Sequence, residues 1–211
     1  TSGSTGQPKG VVLTHGNLMA NLRAMRRASG TSSADCFVSW LPLYHDMGLI
    51  GACLGAMCFG FGLVLTSPLA FLSRPSRWLS LIDRHRATLT AGPNFAYELC
   101  VGKVGDDEIR GLDLSSPRLV FNGAEAVSPD TIARFCDRFA AHGLRREAMT
   151  PVYGLAECSL GLTFPPVGRG PRLDVVDRFE LLEHGRAVPA APGVKAPVRL
   201  LSCGSVLPGH A

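Results

Sequence analysis

Apolar residues recur along this chain in runs of four or five, each followed by a loop and then by a segment with helical spacing. Phe37-Val38-Ser39-Trp40-Leu41, Ala87-Thr88-Leu89-Thr90-Ala91 and Arg118-Leu119-Val120-Phe121 read as strands. Between them the period changes. Leu18, Leu22 and Met25 share one face of a helix expected over 18–27, with arginines toward its C-terminal end, where the helix dipole favours them. Residues 74–85 form an amphipathic pattern with Pro75 in the first turn, and residues 94–100 a shorter helix. Ser128-Pro129 is a cap followed by a first-turn proline, opening a helix over 130–142 that Gly143 closes. Strand, loop and helix are expected once more over 150–157. This alternation predicts an α/β fold of layered, largely parallel sheets flanked by helices.

Other stretches are less regular. Gly10-Val11-Val12-Leu13-Thr14 reads as a short strand. Residues 106–114 look like a charged connection. Gly48 to Pro68 is twenty-one residues without a charge, the length of a membrane span. Its glycines, and His45-Asp46 at its entrance, favour a buried helix (48–59) followed by a buried strand (62–66). From Pro165 to Pro197, prolines and glycines break any long element, with a short strand or helix expected over 174–184 and a strand-like tail over 198–204.

Composition narrows the classes. Of 211 residues, 46% are hydrophobic and 18% charged, a balance that supports a substantial core. The net charge of +4 is scattered as single Arg and Lys residues, so nucleic acid is not an expected partner. The seven cysteines make no CxxC pair and no metal spacing, and are expected to be buried thiols of a cytoplasmic protein.

The chemistry concentrates in loops at strand ends, where α/β folds bind ligands. Residues 1–10, TSGSTGQPKG, pack glycines, hydroxyls and one lysine into a single loop. Glycines let main-chain N–H groups approach an anion, hydroxyls bond phosphate oxygens, and Lys9 adds charge. The ending differs from a Walker A loop, because the lysine precedes a strand rather than a helix. Residues 44–48 bring His45 beside Asp46, residues 122–126 carry Gly123 and Glu125, and residues 153–157 carry Tyr153 and Glu157. A carboxylate suits Mg²⁺, and a tyrosine ring suits a stacked base. Small residues at 48, 51, 52, 55 and 56 serve either close helix packing or the wall of a tunnel for an apolar substrate.

TSGSTGQPKG followed by Val11-Val12-Leu13-Thr14-His15 resembles the phosphate-binding signature of the adenylate-forming enzymes. LPLYHDMGLIG (41–51), FLSRPSRWL (71–79), GPNFAY (92–97), NGAE (122–125) and YGLAE (153–157) are similar to blocks of one branch, the fatty acyl-AMP ligases. The resemblance implies ATP-dependent activation of a medium- or long-chain fatty acid to an acyl-adenylate, with release of pyrophosphate and transfer to an acyl carrier protein. It implies that Thr1, Ser2, Gly3, Ser4, Thr5, Gly6 and Lys9 hold the ATP phosphates, and that Gly123, Ala124, Glu125, Tyr153 and Gly154 hold the adenine. It further implies Mg²⁺ on Glu157, an acyl site of His45, Asp46, Met47, Gly51 and Phe95, and catalytic roles for His45, Lys9 and Glu157. The implied organisation is a core fragment (1–164), a branch-specific insertion (165–197) and the start of a β-rich subdomain (198–211), within a longer protein whose C-terminal lid lies elsewhere. Ala126 departs from the family, which usually has proline there. Two alternatives stay open: a fatty acyl-CoA synthetase, and a non-catalytic nucleotide-binding or carrier-docking module.

Overall fold

The computed structural model describes residues 6, 7 and 9–210. Helix α1 (His15–Ser29) opens on a capping box: the Thr14 hydroxyl accepts from the Asn17 N–H, and the Asn17 amide oxygen accepts from the Thr14 N–H. This is where the sequence reading fails first. Residues 10–14 form no strand; no neighbouring strand pairs with them, Val12 is 94% exposed, and β-propensity without a partner makes no ladder. Gly30 ends α1 in the left-handed conformation.

Strand β1 (Cys36–Ser39) leads to a π-helix, Met47–Leu54, which passes into α2 (Gly55–Phe59). Strand β2 (Gly62–Leu65) follows, then α3 (Pro68–Ser73), α4 (Ser76–Arg84), β3 (Leu89–Gly92), α5 (Asn94–Lys103), α6 (Asp106–Ile109), β4 (Leu119–Asn122), α7 (Pro129–Ala140) and β5 (Met149–Pro151). The five strands make one parallel sheet in the order β2-β1-β3-β4-β5. The expectation of a buried strand over 62–66 is corrected: β2 is an edge strand, partly exposed along its length, with Leu65 48% exposed. The charged connection over 106–114 contains α6, whose first turn is three acidic residues. Among the described residues no helix is long and apolar enough to cross a membrane.

The core lies between the sheet and its helices. Trp40 stacks on Phe71 at 4.0 Å, Trp78 meets both edge-on, and Tyr97 continues the aromatic row to Phe135. Cys100 and Cys136 are buried, and burial pushes their thiols up to about 12 and about 11, marking inert packing groups. Cys58 is exposed, so the expectation of buried thiols holds for only part of the set.

Beyond β5 the sheets turn antiparallel. Strands β6 (Tyr153–Gly154) and β7 (Gly161–Phe164) pair around a single 3-10 turn, Ala156–Cys158, where a further helix was expected. Strand β8 (Leu173–Val176) precedes α8 (Arg178–His184) and pairs with β9 (Val198–Leu201); β10 (Ser205–Val206) returns to β7. Thus 174–184 holds both a strand and a helix. The Asn21 amide clamps α1 to β7, donating to the Gly161 carbonyl (2.7 Å) and accepting from the Gly161 N–H (3.1 Å). It satisfies a buried polar side chain and a backbone group at once.

Candidate active site

Three elements enclose a cavity of about 210 Å³: one face of α1, one face of the π-helix with α2, and the sheet beneath. Leu22, Met25, Arg26 and Ser29 recur at spacings of three and four, so α1 presents a single stripe to it. Met47, Gly51, Gly55 and Phe59 recur every four residues along the opposite wall. Glycine is required there for two different reasons. Gly51 and Gly55 border the cavity, whereas a Cβ at Gly48 would stand 2.3 Å from the Pro42 carbonyl oxygen. Ala52 and Ala56 are buried in the core. The small residues therefore serve both tunnel wall and close packing.

One mouth of the cavity lies at the carboxyl ends of the strands. His45 and Asp46 line it together with Ala124, Tyr153 and Gly154. His45 Nδ1 lies 2.8 Å from Asp46 Oδ1, and this hydrogen bond, aided by the carboxylate charge, raises the imidazole pKa against the opposing effect of burial. Burial works to raise Asp46, but the His45 contact and the Met47 N–H (2.7 Å) together hold it below its ordinary value. The pair is thus a half-exposed imidazole held in place by the neighbouring carboxylate, which favours its protonated form.

Beyond His45, Asp46, Ala124, Tyr153 and Gly154, of the expected residues that are described Met47 and Gly51 line the cavity wall and the rest do not line it. Gly123 is buried, and the room its missing Cβ leaves is filled by Val152, whose carbonyl oxygen would be 2.9 Å away. Ala124 adopts a positive φ of 69°, the one strained residue among those lining the cavity that are described. A Cβ at Gly154 would meet the Leu160 carbonyl at 1.9 Å, so glycine there is what lets the β6–β7 hairpin close. Tyr153 is 53% exposed, its ring available at the mouth. Glu157 sits exposed on the 3-10 turn, outside the cavity lining. Gly6 and Lys9 are exposed, and Thr1, Ser2, Gly3, Ser4 and Thr5 lie outside the described residues.

Two links escaped the sequence reading. Glu125 does not line the cavity; its carboxylate accepts the Phe95 N–H (2.7 Å) in the first turn of α5, whose N-cap Pro93 offers no side-chain cap. Phe95 in turn packs edge-on against Trp40 at 6.0 Å rather than lining the cavity. The second link is the far wall, Arg26, Ser29 and Thr31. The 22, 25, 26, 29 stripe was the signal for it, but Arg26 and Ser29 read as an ordinary polar helix end.

A family model for AMP-binding enzymes matches residues 1–195. The chain belongs to this family. Within it, the chain is 42% identical over 204 residues to a medium-chain-fatty-acid–[acyl-carrier-protein] ligase of Teredinibacter turnerae, covering 97% of this chain and 32% of that protein. It is 43% identical over 199 residues to a long-chain-fatty-acid–AMP ligase of Mycobacterium tuberculosis, covering 92% of this chain and 34% of the relative. A solved fatty acyl-adenylate ligase from L. pneumophila, in complex with acyl adenylate and pyrophosphate, superposes with a TM-score of 0.92 at 38% identity, covering 98% of this chain and 36% of that one. The chain spans about a third of the length of these AMP-binding relatives.

Proposed function

We propose that the protein carrying this chain activates a medium- or long-chain fatty acid with ATP, forming an acyl-adenylate that passes to an acyl carrier protein in the cytoplasm. The observation that carries the reading is the cavity itself: an apolar tube whose mouth holds the paired His45 and Asp46. Such a tube takes an alkyl chain and leaves its carboxylate at a cation.

In this reaction a carboxylate oxygen attacks the α-phosphorus of ATP in line, the bond to the bridging oxygen of the β-phosphate breaks, and pyrophosphate leaves. No side-chain nucleophile is needed; positioning and charge neutralisation supply the rate. The loop from Thr1 to Lys9 would hold the phosphates. Protonated His45 would lie between acyl carboxylate and phosphate, with Asp46 and Met47 fixing its position and Gly51 leaving room for the chain. Gly123, Ala124 and Gly154 would border the adenine and Tyr153 would stack on it, while Glu125 and Phe95 shape the loop that carries them.

Among the described residues no cluster of three His, Cys, Asp or Glu could cage a metal. A single exposed carboxylate fits Mg²⁺, which keeps its waters and takes most other ligands from phosphates. Glu157 would hold it, and when bound the ion supplies charge neutralisation of the triphosphate. Residues 165–197 would be the insertion that favours acyl-AMP over acyl-CoA, between a core fragment (1–164) and the next subdomain (198–211).

The test is product analysis by mass spectrometry on the full-length protein with ATP, Mg²⁺ and fatty acids, with and without CoA. Acyl-AMP that persists in the presence of CoA is expected. Acyl-CoA instead would overturn the carrier-protein branch while keeping adenylation, and neither product would leave a binding module.

A further inference from the structure

The loop from Gly123 to Ser128 joins β4 to α7 and brings Ala124, with its positive φ, to the mouth of the cavity. Such a backbone persists only where its surroundings fix it from more than one side. On the side of β5 the loop has no room to retreat. A Cβ at Gly123 would stand 2.9 Å from both the Cγ2 and the carbonyl oxygen of Val152, whose N–H donates to the Asn122 carbonyl (2.8 Å).

The other side is the first turn of α5. Phe121 lines the cavity, so Asn122, the next residue of β4, points to the opposite face of the sheet, where it is fully buried. Its Nδ2 donates to Asn94 Oδ1 (3.4 Å), while its own oxygen has no partner among the described residues. The same Asn94 oxygen accepts the Ser128 N–H (3.0 Å). A backbone N–H can only donate, which fixes the Asn94 carboxamide with its oxygen toward the loop and its nitrogen toward Thr131 Oγ1 (3.2 Å). One side chain therefore reaches both ends of the loop, Asn122 where it leaves β4 and Ser128 where it enters α7. Glu125 ties down the middle through the Phe95 N–H, but it is exposed, whereas Asn94 is half-buried and Asn122 and Thr131 are buried.

Asn94 does not line the cavity, so any effect it has there passes through the loop. We propose that Asn94 is a positioning residue, whose bonds to Asn122 and Ser128 fix the turn that presents Ala124 to a bound nucleotide. This rests on the acyl-adenylation reading above, in which Gly123 and Ala124 border the adenine. Loss of the carboxamide releases the nucleotide side of the mouth, while the tube walls on α1, the π-helix and α2 keep their places.

The test uses the full-length protein with Asn94→Ala, Asn94→Asp and Thr131→Val, reading KM for ATP, fatty-acid affinity by calorimetry without ATP, and melting temperature. Asn94→Asp keeps oxygens for Asn122 and Ser128 and gives up only the donor to Thr131. Thr131→Val removes that acceptor and leaves the Asn94 oxygen in place. Asn94→Ala is expected to raise KM for ATP roughly tenfold, the scale of the bonds lost, with fatty-acid affinity within about twofold of wild type. Asn94→Asp and Thr131→Val should melt earlier yet keep KM for ATP within about threefold of wild type. A KM for ATP that stays put in Asn94→Ala, or that follows melting temperature through all three variants, makes Asn94 a structural residue only and overturns the proposal. Should Asn94→Ala not fold, Asn122→Ala decides instead: a severalfold rise in KM for ATP at unchanged fatty-acid affinity supports positioning, and an unchanged KM overturns it. If the wild-type protein forms no acyl-adenylate, the proposed function falls and calorimetric ATP binding is read in its place. A roughly tenfold loss of ATP affinity in Asn94→Ala that Asn94→Asp recovers supports the inference, and equal or absent binding overturns it.

Discussion

The two edges of the parallel sheet are finished in opposite ways, although the same strands supply both. At the amino edge, Arg118 locks three connections at once. It grips Asp35 with Nε and Nη2 (2.7 and 2.8 Å), and it donates to the carbonyls of Ser29 and Gly30 that end α1. Thr88 donates to the same carboxylate (2.7 Å) and accepts the Cys36 N–H, so the starts of β1 and β3 and the end of α1 form one unit. At the carboxyl edge His45, Tyr153 and Glu157 are exposed and Ala124 is strained, and the side-chain bonds between loops gather at Asn94, which accepts from the Ser128 N–H (3.0 Å), and at Glu125, which accepts from the Phe95 N–H (2.7 Å). The rigid edge fixes where the strands lie; the open edge leaves donors and charges for something that is not protein.

The sharpest way to break this contrast is His45→Asn in the full-length protein. On the role proposed for His45, its loss should cost roughly 10²–10³-fold in kcat/KM, measured by pyrophosphate release, with little change in melting temperature. The pH dependence follows from the raised imidazole pKa. The charged form is complete below about pH 6.5 and is lost as pH rises through the higher folded value, so fatty-acid affinity should weaken on that alkaline side. The Asn variant should lack that limb. A variant that melts early but turns over normally would make His45 structural.

Arg118→Met is the mirror experiment. Asp35 is 6% exposed at its side chain, and stripping its partner leaves a buried carboxylate, at a cost of about 3 kcal/mol in denaturant unfolding. Burial works to raise the Asp35 pKa, but the Arg118 contacts, the Ser32 N–H and the Thr88 hydroxyl hold it low. That stabilisation is present above pH 3.8 and is lost as pH falls through the lower folded value. The variant should therefore lose stability at neutral pH while its acid unfolding limb flattens. Folded protein should keep its KM for ATP.

How much of this was legible depended on range in sequence. Helix α7 announced itself through Ser128 and Pro129, and the strands through runs of four apolar residues, because caps and runs are local. The edge position of β2 is a matter of strand order, which Gly62 to Leu65 do not encode. The π-helix offered no signal, since an uncharged run with glycines fits more than one helical period. Arg118 reaches Asp35 across 83 positions, and Asn21 reaches Gly161 across 140; no spacing rule joins such pairs. The loops at the carboxyl edge were readable as chemistry because their residue types are odd for a core. Their mutual contacts were not.

The smallest expected effect probes where the two edges' rules meet. Glu125 belongs to the open edge, yet its carboxylate serves as the missing cap of α5 through the Phe95 N–H. Glu125→Ala removes one charge-assisted bond at a helix N-terminus, worth about 1 kcal/mol, less in high salt because the group is exposed. Glu125→Gln keeps an acceptor oxygen and should recover part of it. If Glu125 only contacted nucleotide, Ala and Gln would raise the KM for ATP alike and leave unfolding untouched. If it holds the 122–126 loop against α5, stability and KM should shift together in Ala and recover together in Gln, because Phe95 then carries the disturbance to Trp40.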